Sequence, residues 1–249
     1  MSSANYREIT QLPLFPLNSV LFPGFQVQLH IFEERYRVMI KACIENNTPF
    51  GVVLIQEGQE VGLPAVPHTV GCLVRIVGYK SREDGRINLL AIGESRFRLL
   101  DYWEAEIPYL VGSVELLEDD PISEEQTRFL VEETQEKFRS YLRLLSHKAA
   151  FDLPEIDLPS NPTLLAFYIA SVSQLPQRRR QQMLESTLPI TRLEEIRSLL
   201  NLQIQELNSL QTPQTECQPE EDTIPRILIA RPLDTKRSDW QRFRRESRN

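Results

Sequence analysis

The chain has 249 residues, 41% of them hydrophobic and 25% charged, with a net charge of −7. That is the balance of an ordinary globular protein, long enough for one large domain or two modest ones. No apolar run approaches the roughly 20 residues that span a bilayer, MSSANYREIT at the N-terminus lacks the apolar core of a signal peptide, and the negative charge disfavours a surface given over to nucleic acid.

The three cysteines, Cys43, Cys72 and Cys217, are odd in number and far apart. They match no zinc or redox spacing and suit a reducing, cytoplasmic setting. Charge and glycine are unevenly spread. Residues 224–249 carry eight Lys/Arg against three Asp/Glu, which leaves −12 for the rest of the chain. All nine glycines lie between Gly24 and Gly112. Turn-rich β structure needs glycine where φ is positive, and helical bundles mostly do not. The sequence therefore predicts a β-rich domain over residues 9–118, an α-helical one over 122–210, and a flexible linker with a basic tail over 211–249.

Ile9 to Phe15 reads as a first strand, with Pro13 and Pro16 placing it at an edge or an end. In the next strand Phe25, Val27, Leu29 and Ile31 share one face and Gln26, Gln28 and His30 the other, while Phe32 leaves the pattern. Tyr36, Met39, Ile40 and Cys43 then recur at helical spacing over Glu33 to Asn46. Phe50 to Gln56 is short and continuously apolar, as a strand buried on both faces should be. The loop from Glu57 to His68 is long enough to suggest a binding role. Thr69 to Lys80 and Arg86 to Ile92 flank an Asp84-Gly85 hairpin signal. Gly93 breaks the pattern before Ser95 to Tyr102, and Tyr109 to Leu117 closes a set of six or seven strands.

The helical half opens at Ser123, which with Gln126 has the form of a capping box. Leu130, Val131, Phe138, Tyr141, Leu142 and Leu145 follow at helical spacing. Asn161-Pro162 caps a helix that is apolar nearly all round, the centre of the bundle. Pro176 opens a short helix through Glu185. Thr191 with Glu194 has the form of a second capping box, before a long stripe from Leu193 to Leu207.

Nothing in this pattern is a catalytic motif. His30, His68 and His147 fall on a strand, a loop and a helix, with no spacing that joins them. Ser95 follows Gly93-Glu94 without the second glycine of a nucleophile elbow. Glu118, Asp119 and Asp120 read as a solvated linker, and Arg178 to Arg180 as a solvated face. Neither a cofactor nor a metal is expected. Phe22 and Phe25, beside the Gly24 turn, and Tyr102 with Trp103, after a strand, either cap the core or, where exposed, are the candidate peptide-binding residues. Exposed aromatics make apolar anchors for an extended chain. The tail residues Arg242, Arg244 and Arg245, interleaved with Trp240 and Phe243, suit a docking peptide better than a base-stacking one.

LPLFPLNSVLFPG over residues 12–24 and VGCLVRIVGYKSREDGRINLLAIGESRFRLLDY over 70–102 resemble two blocks of the Lon protease N-terminal domain family. QQMLESTLPITRLEEIRSLL over 181–200 is similar to that family's helical segment, and the resemblance covers about residues 12–210. It implies an α+β fold, with a PUA-like mixed β-barrel or folded sheet followed by an α-helical bundle. It also implies recognition of unfolded or degron-bearing polypeptides. The sequence holds no Gly-x-x-x-x-Gly-Lys-Ser/Thr, since no glycine follows Gly112 and no Gly-Lys pair precedes it. A phosphate loop needs those glycines for close backbone approach. The expected function is thus non-catalytic: a cytoplasmic substrate-recognition or adaptor module that presents clients to a separate ATP-dependent protease. The alternative is a PUA-like RNA-binding module, favoured by the basic tail and opposed by the acidic body.

Overall fold

The computed structural model of the chain describes residues 8–62, 65–104, 109–149 and 156–209. The linker and basic tail expected over 211–249 lie outside these residues, as does Cys217. The elements are β1 (Glu8–Leu17), β2 (Gln26–Ile31), α1 (Glu34–Asn46), β3 (Phe50–Glu57), β4 (Val66–Ser81), β5 (Ile87–Glu104), β6 (Leu110–Leu117), α2 (Glu124–Ala149), α3 (Pro162–Val172), α4 (Gln177–Glu185) and α5 (Pro189–Ser209). No described helix is long and apolar enough to cross a membrane. The described residues fall into two compact units. One holds the sheet, α1 and residues 176–185; the other begins at Asp119 and takes α2, α3 and, from Ser186, α5. The short helix α4, which the sequence places in the bundle, thus groups with the sheet.

The first unit is built on one six-stranded sheet in the order β2-β5-β4-β3-β1-β6, with β6 pairing β5 as well. Among the described strands only β1 and β3 run parallel. A parallel pair needs a long crossover, and the chain from β2 through α1 supplies it. The fold is α+β, as expected, with six strands. The segments expected on either side of Gly93 form the single long strand β5. Gly93 does not end it but makes a bulge: Gly93 opposes Val74 and Ser95 opposes Leu73, with Glu94 left over. A bulge lets a strand bend and continue.

The prolines of β1 also behave differently from expectation, because β1 lies between two neighbours. Residues 8–13 pair with β6 and residues 14–17 with β3. Each half of β1 is therefore paired on one side only, so Pro13 and Pro16 each sit where a missing N–H costs little.

The sheet has apolar groups on both faces. On one, the predicted stripe of α1 (Tyr36, Met39, Ile40 and Cys43) packs with Phe15, Phe50, Val52, Val74 and Leu89. On the other, Leu12, Leu14, Val53, Leu73, Phe97 and Val114 form a second cluster. Val52 and Val53 belong to different clusters, so β3 is buried on both faces, as its continuous apolar run predicts. The Asp-Gly turn closes between Arg82 and Arg86: Gly85 N–H donates to the Arg82 carbonyl (2.9 Å), at a positive φ of 79°. Helix α4 is tied to the strands by two buried bonds. Gln181 Nε2 donates to the Val70 carbonyl (2.9 Å), and Arg96 Nη1 donates to the Leu184 carbonyl (2.7 Å).

In the helical unit both ends of the Ser123 capping box form. Gln126 N–H donates to Ser123 Oγ (3.3 Å), and Ser123 N–H donates to Gln126 Oε1 (3.2 Å). Asn161 Oδ1 accepts from Leu164 N–H (3.0 Å), with Pro162 in the first turn of α3. The second box does not form. Helix α5 starts at Pro189, so Thr191 is already inside it and exposed. Proline at the first helical position gives up no intrahelical bond, which favours the earlier start.

The acidic run is not all solvated, contrary to the sequence reading. Asp119 receives both terminal nitrogens of Arg192, at 3.1 and 2.7 Å. It also accepts from Thr163 Oγ1. The Arg192 side chain is fully buried, donates to the Ser186 carbonyl, and stands 4.5 Å from the Phe167 ring centre. A buried guanidinium is tolerated when its donors are answered in this way.

Candidate functional site

The four sequence-predicted aromatics are not brought together. Phe22 and Phe25 are 1% and 5% exposed: of the two roles open to them, core and peptide-binding surface, they take the core, and their candidacy as peptide-binding residues is corrected. The reason is the turn between them. Gly24 N–H donates to the Gly93 carbonyl and Gly93 N–H to the Phe25 carbonyl, both at 2.9 Å. The turn lies so close to β5 that a Cβ on Gly93 would stand 2.5 Å from the Phe22 carbonyl oxygen. Tyr102 and Trp103 are partly exposed at the end of β5, opposite Gly112 and Val111 of β6. Being consecutive on a strand, they point to opposite faces and do not make one patch.

The apolar surface that does form lies beside β2. This strand pairs with β5 alone among the described residues, through Gln26↔Ile92 to Ile31↔Ile87. Its outer side borders a cleft of about 120 Å³, lined by Phe15, Leu17, Leu29, Phe32, Tyr36 and Val61 among others. Phe32 is 48% exposed and Val61 52%. Phe32 is the residue that leaves the strand alternation, and Val61 belongs to the loop whose length suggests binding. Sequence reasoning missed both as site residues; the loss of alternation at Phe32 and the glycines around Val61 were the available signals.

The loop is anchored at the cleft by two carboxylates. Glu60 Oε2 accepts from Asn18 N–H (3.1 Å), and Glu33 Oε2 accepts from Gly62 N–H (3.2 Å). Glu33 also pairs with Arg35 (3.1 Å), whose guanidinium stands 4.5 Å from the Tyr36 ring centre. Burial pushes the Tyr36 hydroxyl up to about 12; Arg35 opposes the rise, and Glu33 and Glu60 add to it. The phenol is therefore a neutral donor and acceptor at physiological pH.

Among the described residues the histidines and cysteines do not assemble. His30 Nδ1 is 2.7 Å from Asn88 Oδ1, His68 Nδ1 is 3.7 Å from Glu185, and His147 is exposed on α2. Among the described residues no three His, Cys, Asp or Glu side chains could hold a metal ion. Cys43 and Cys72 are buried free thiols, and burial pushes both up, away from the thiolate a nucleophile needs. Arg178 and Arg179 are exposed on α4. The aromatic and basic residues of the tail lie outside the described residues.

Comparison with known proteins gives this architecture a family. A model described as the ATP-dependent protease La (LON) substrate-binding domain matches residues 11–202. Lon protease of Anaeromyxobacter dehalogenans is 28% identical over 193 residues, 76% of this chain and 23% of that protein. Lon protease of Brevibacillus choshinensis is 25% identical over 77% of this chain and 25% of its own length. The chain thus spans about a quarter of these relatives. The crystal structure of a Lon N-terminal domain protein from Xanthomonas campestris superposes with a TM-score of 0.57, at 28% identity, covering 76% of this chain and 98% of that one. The N-terminal domain of Mycobacterium avium complex Lon protease gives a TM-score of 0.60 at 16% identity, a likeness of fold. On the family match, which runs through both compact units, this chain belongs to the Lon substrate-binding domain family.

Proposed function

We propose that this protein is a non-catalytic, cytoplasmic polypeptide-binding module. It takes exposed apolar segments of unfolded or degron-bearing chains and presents them to a separate ATP-dependent protease. The observation that supports this reading is the cleft beside β2, where Phe32 and Val61 are half exposed next to the buried rings of Phe15 and Tyr36. Apolar side chains kept at a surface, in a concave site, suit a partner that brings its own apolar groups. Binding then needs no covalent step. Client side chains leave water against the cleft, at about 25 cal/mol per Å² of apolar area before the ordering of the client is subtracted. The buried reduced thiols of Cys43 and Cys72 fit a reducing compartment.

The test is aggregation of a chemically denatured client, followed by light scattering, with and without the purified protein. Suppression near equimolar protein is expected, together with faster degradation of the same client when a Lon-type protease and ATP are added. No suppression and no captured client would remove the binding reading. Capture without faster degradation would remove the presenting role and leave a holding one.

A further inference from the structure

We infer that the client segment binds by adding a strand to the outer edge of β2, rather than by lodging side chains alone; this inference rests on the polypeptide-binding reading. The backbone carries the argument. Gly93 N–H donates to the Phe25 carbonyl, and the register places Phe25 opposite Gly93. In an antiparallel ladder, hydrogen-bonded pairs alternate with non-bonded ones. Val27, Leu29 and Ile31 therefore spend their N–H and C=O groups on β5. Gln26, Gln28 and His30 point theirs the other way. No described strand pairs with that edge. It is a run of open donors and acceptors at the spacing an extended chain offers.

The side chains say which extended chain fits. Those of Val27, Leu29 and Ile31 turn toward the core, and those of Gln26, Gln28 and His30 toward solvent. An added strand continues the same alternation. Its inward residues meet Leu17, Tyr36, Phe32 and Val61 across the cleft, and its outward residues lie beside Gln28 and His30. The carboxylates lining the cleft are Glu33 and Glu60, and the lining holds no Lys or Arg. Glu33 is paired with Arg35. Glu60 holds a backbone N–H, with no cation at ion-pair distance among the described residues. The occupant is thus an extended polypeptide segment of alternating apolar and polar residues that carries a Lys or Arg, with the cation beside Glu60.

The experiment uses the full chain, isotopically labelled, and a synthetic peptide of about eight residues, near the usual strand length. The peptide alternates Val/Ile with Ser/Thr and carries one Arg. Two further versions are N-methylated, one at the residues of even position and one at those of odd position. The parent peptide is expected to bind and to slow hydrogen exchange at the Gln28 and His30 amides. One N-methylated version is expected to bind about tenfold or more weakly, because its missing N–H groups faced β2, and the other to bind like the parent. Replacing the Arg by Glu weakens binding further. If the parent binds but both N-methylated versions bind equally well, or the Gln28 and His30 amides gain no protection, strand addition is wrong and the polypeptide-binding reading stands. If neither the parent nor a denatured client binds, the polypeptide-binding reading fails, and the inference with it.

Discussion

The two units treat their polar groups in opposite ways. In the helical unit the most unusual residue is Arg192, a fully buried cation held by Asp119, by the Ser186 carbonyl and by the Phe167 ring. Its donors are used inside the fold. In the sheet unit the residues beside the cleft are ordinary ones, yet the edge of β2 is left unpaired among the described residues, and Phe32 and Val61 face water. An open edge beside apolar side chains invites association, and proteins usually cover or charge such edges. The contrast separates structure from function on physical grounds. A buried group that is satisfied internally holds the fold together; a surface group left unsatisfied is available to a partner.

The largest expected effect breaks the first half of this contrast. Asp119→Ala leaves the Arg192 guanidinium buried without its counter-charge, and is expected to destabilise the protein by about 3–5 kcal/mol. Urea unfolding followed by circular dichroism measures it. Arg192→Met should cost less, because the Asp119 side chain is 18% exposed and can recruit water. If both variants unfold like the parent, the pair is not what holds the helical unit. Next comes Gly93→Ala in the sheet unit. Its methyl group would meet a carbonyl oxygen at 2.5 Å and Cys72 Sγ at 2.8 Å. Neither can rotate away as the end of a flexible side chain would, so a loss of about 2 kcal/mol is expected by the same measurement.

The third prediction sharpens the other half. Phe32→Ser and Val61→Ser change exposed residues, so stability should move by less than about 0.5 kcal/mol. Client affinity should still fall about tenfold for the pair, as for truncated apolar anchors of an interface. Fluorescence anisotropy of a labelled client peptide reads the affinity. Trp103→Ala serves as the comparison, expected to leave the affinity unchanged, because Trp103 is not among the residues that line the cleft. A loss at Trp103 with none at Phe32 would move the site to the end of β5.

Most of the fold was legible in the sequence because strand and helix periods write themselves into single segments. The α1 stripe, the doubly buried β3, the Asp-Gly turn and the Asn161 cap all depend on neighbours a few residues apart. What depended on distant partners was not legible. Phe22 and Phe25, by a glycine turn, could be core or surface until Gly93, about 70 residues on, is seen to receive that turn. Asp119 looks like linker until Arg192 arrives from α5. The family resemblance carried the function class, but the cleft needed β2, α1 and the loop after β3 together. No local pattern shows that an edge will stay unpaired.

The smallest prediction tests that distinction directly, because two stretches of the sequence have the same local form and the structure uses one. Ser123-x-x-Gln126 and Thr191-x-x-Glu194 both read as capping boxes. At the first, Ser123 Oγ accepts from Gln126 N–H and the Gln126 side chain returns the bond. Two N–H groups at the start of α2 are thereby satisfied, so Ser123→Ala should cost about 1 kcal/mol. At the second, Thr191 sits exposed two residues past Pro189, already within the first turn of α5 rather than at the position before it, so its side chain is not at the N-cap. Alanine is the better helix former at an exposed helical position that caps nothing, so Thr191→Ala should be neutral or stabilising by a few tenths of a kcal/mol. Urea unfolding of the two variants side by side decides it. Equal losses would mean that α5 begins at Thr191 after all, and that the local pattern, not the proline before it, sets where that helix starts.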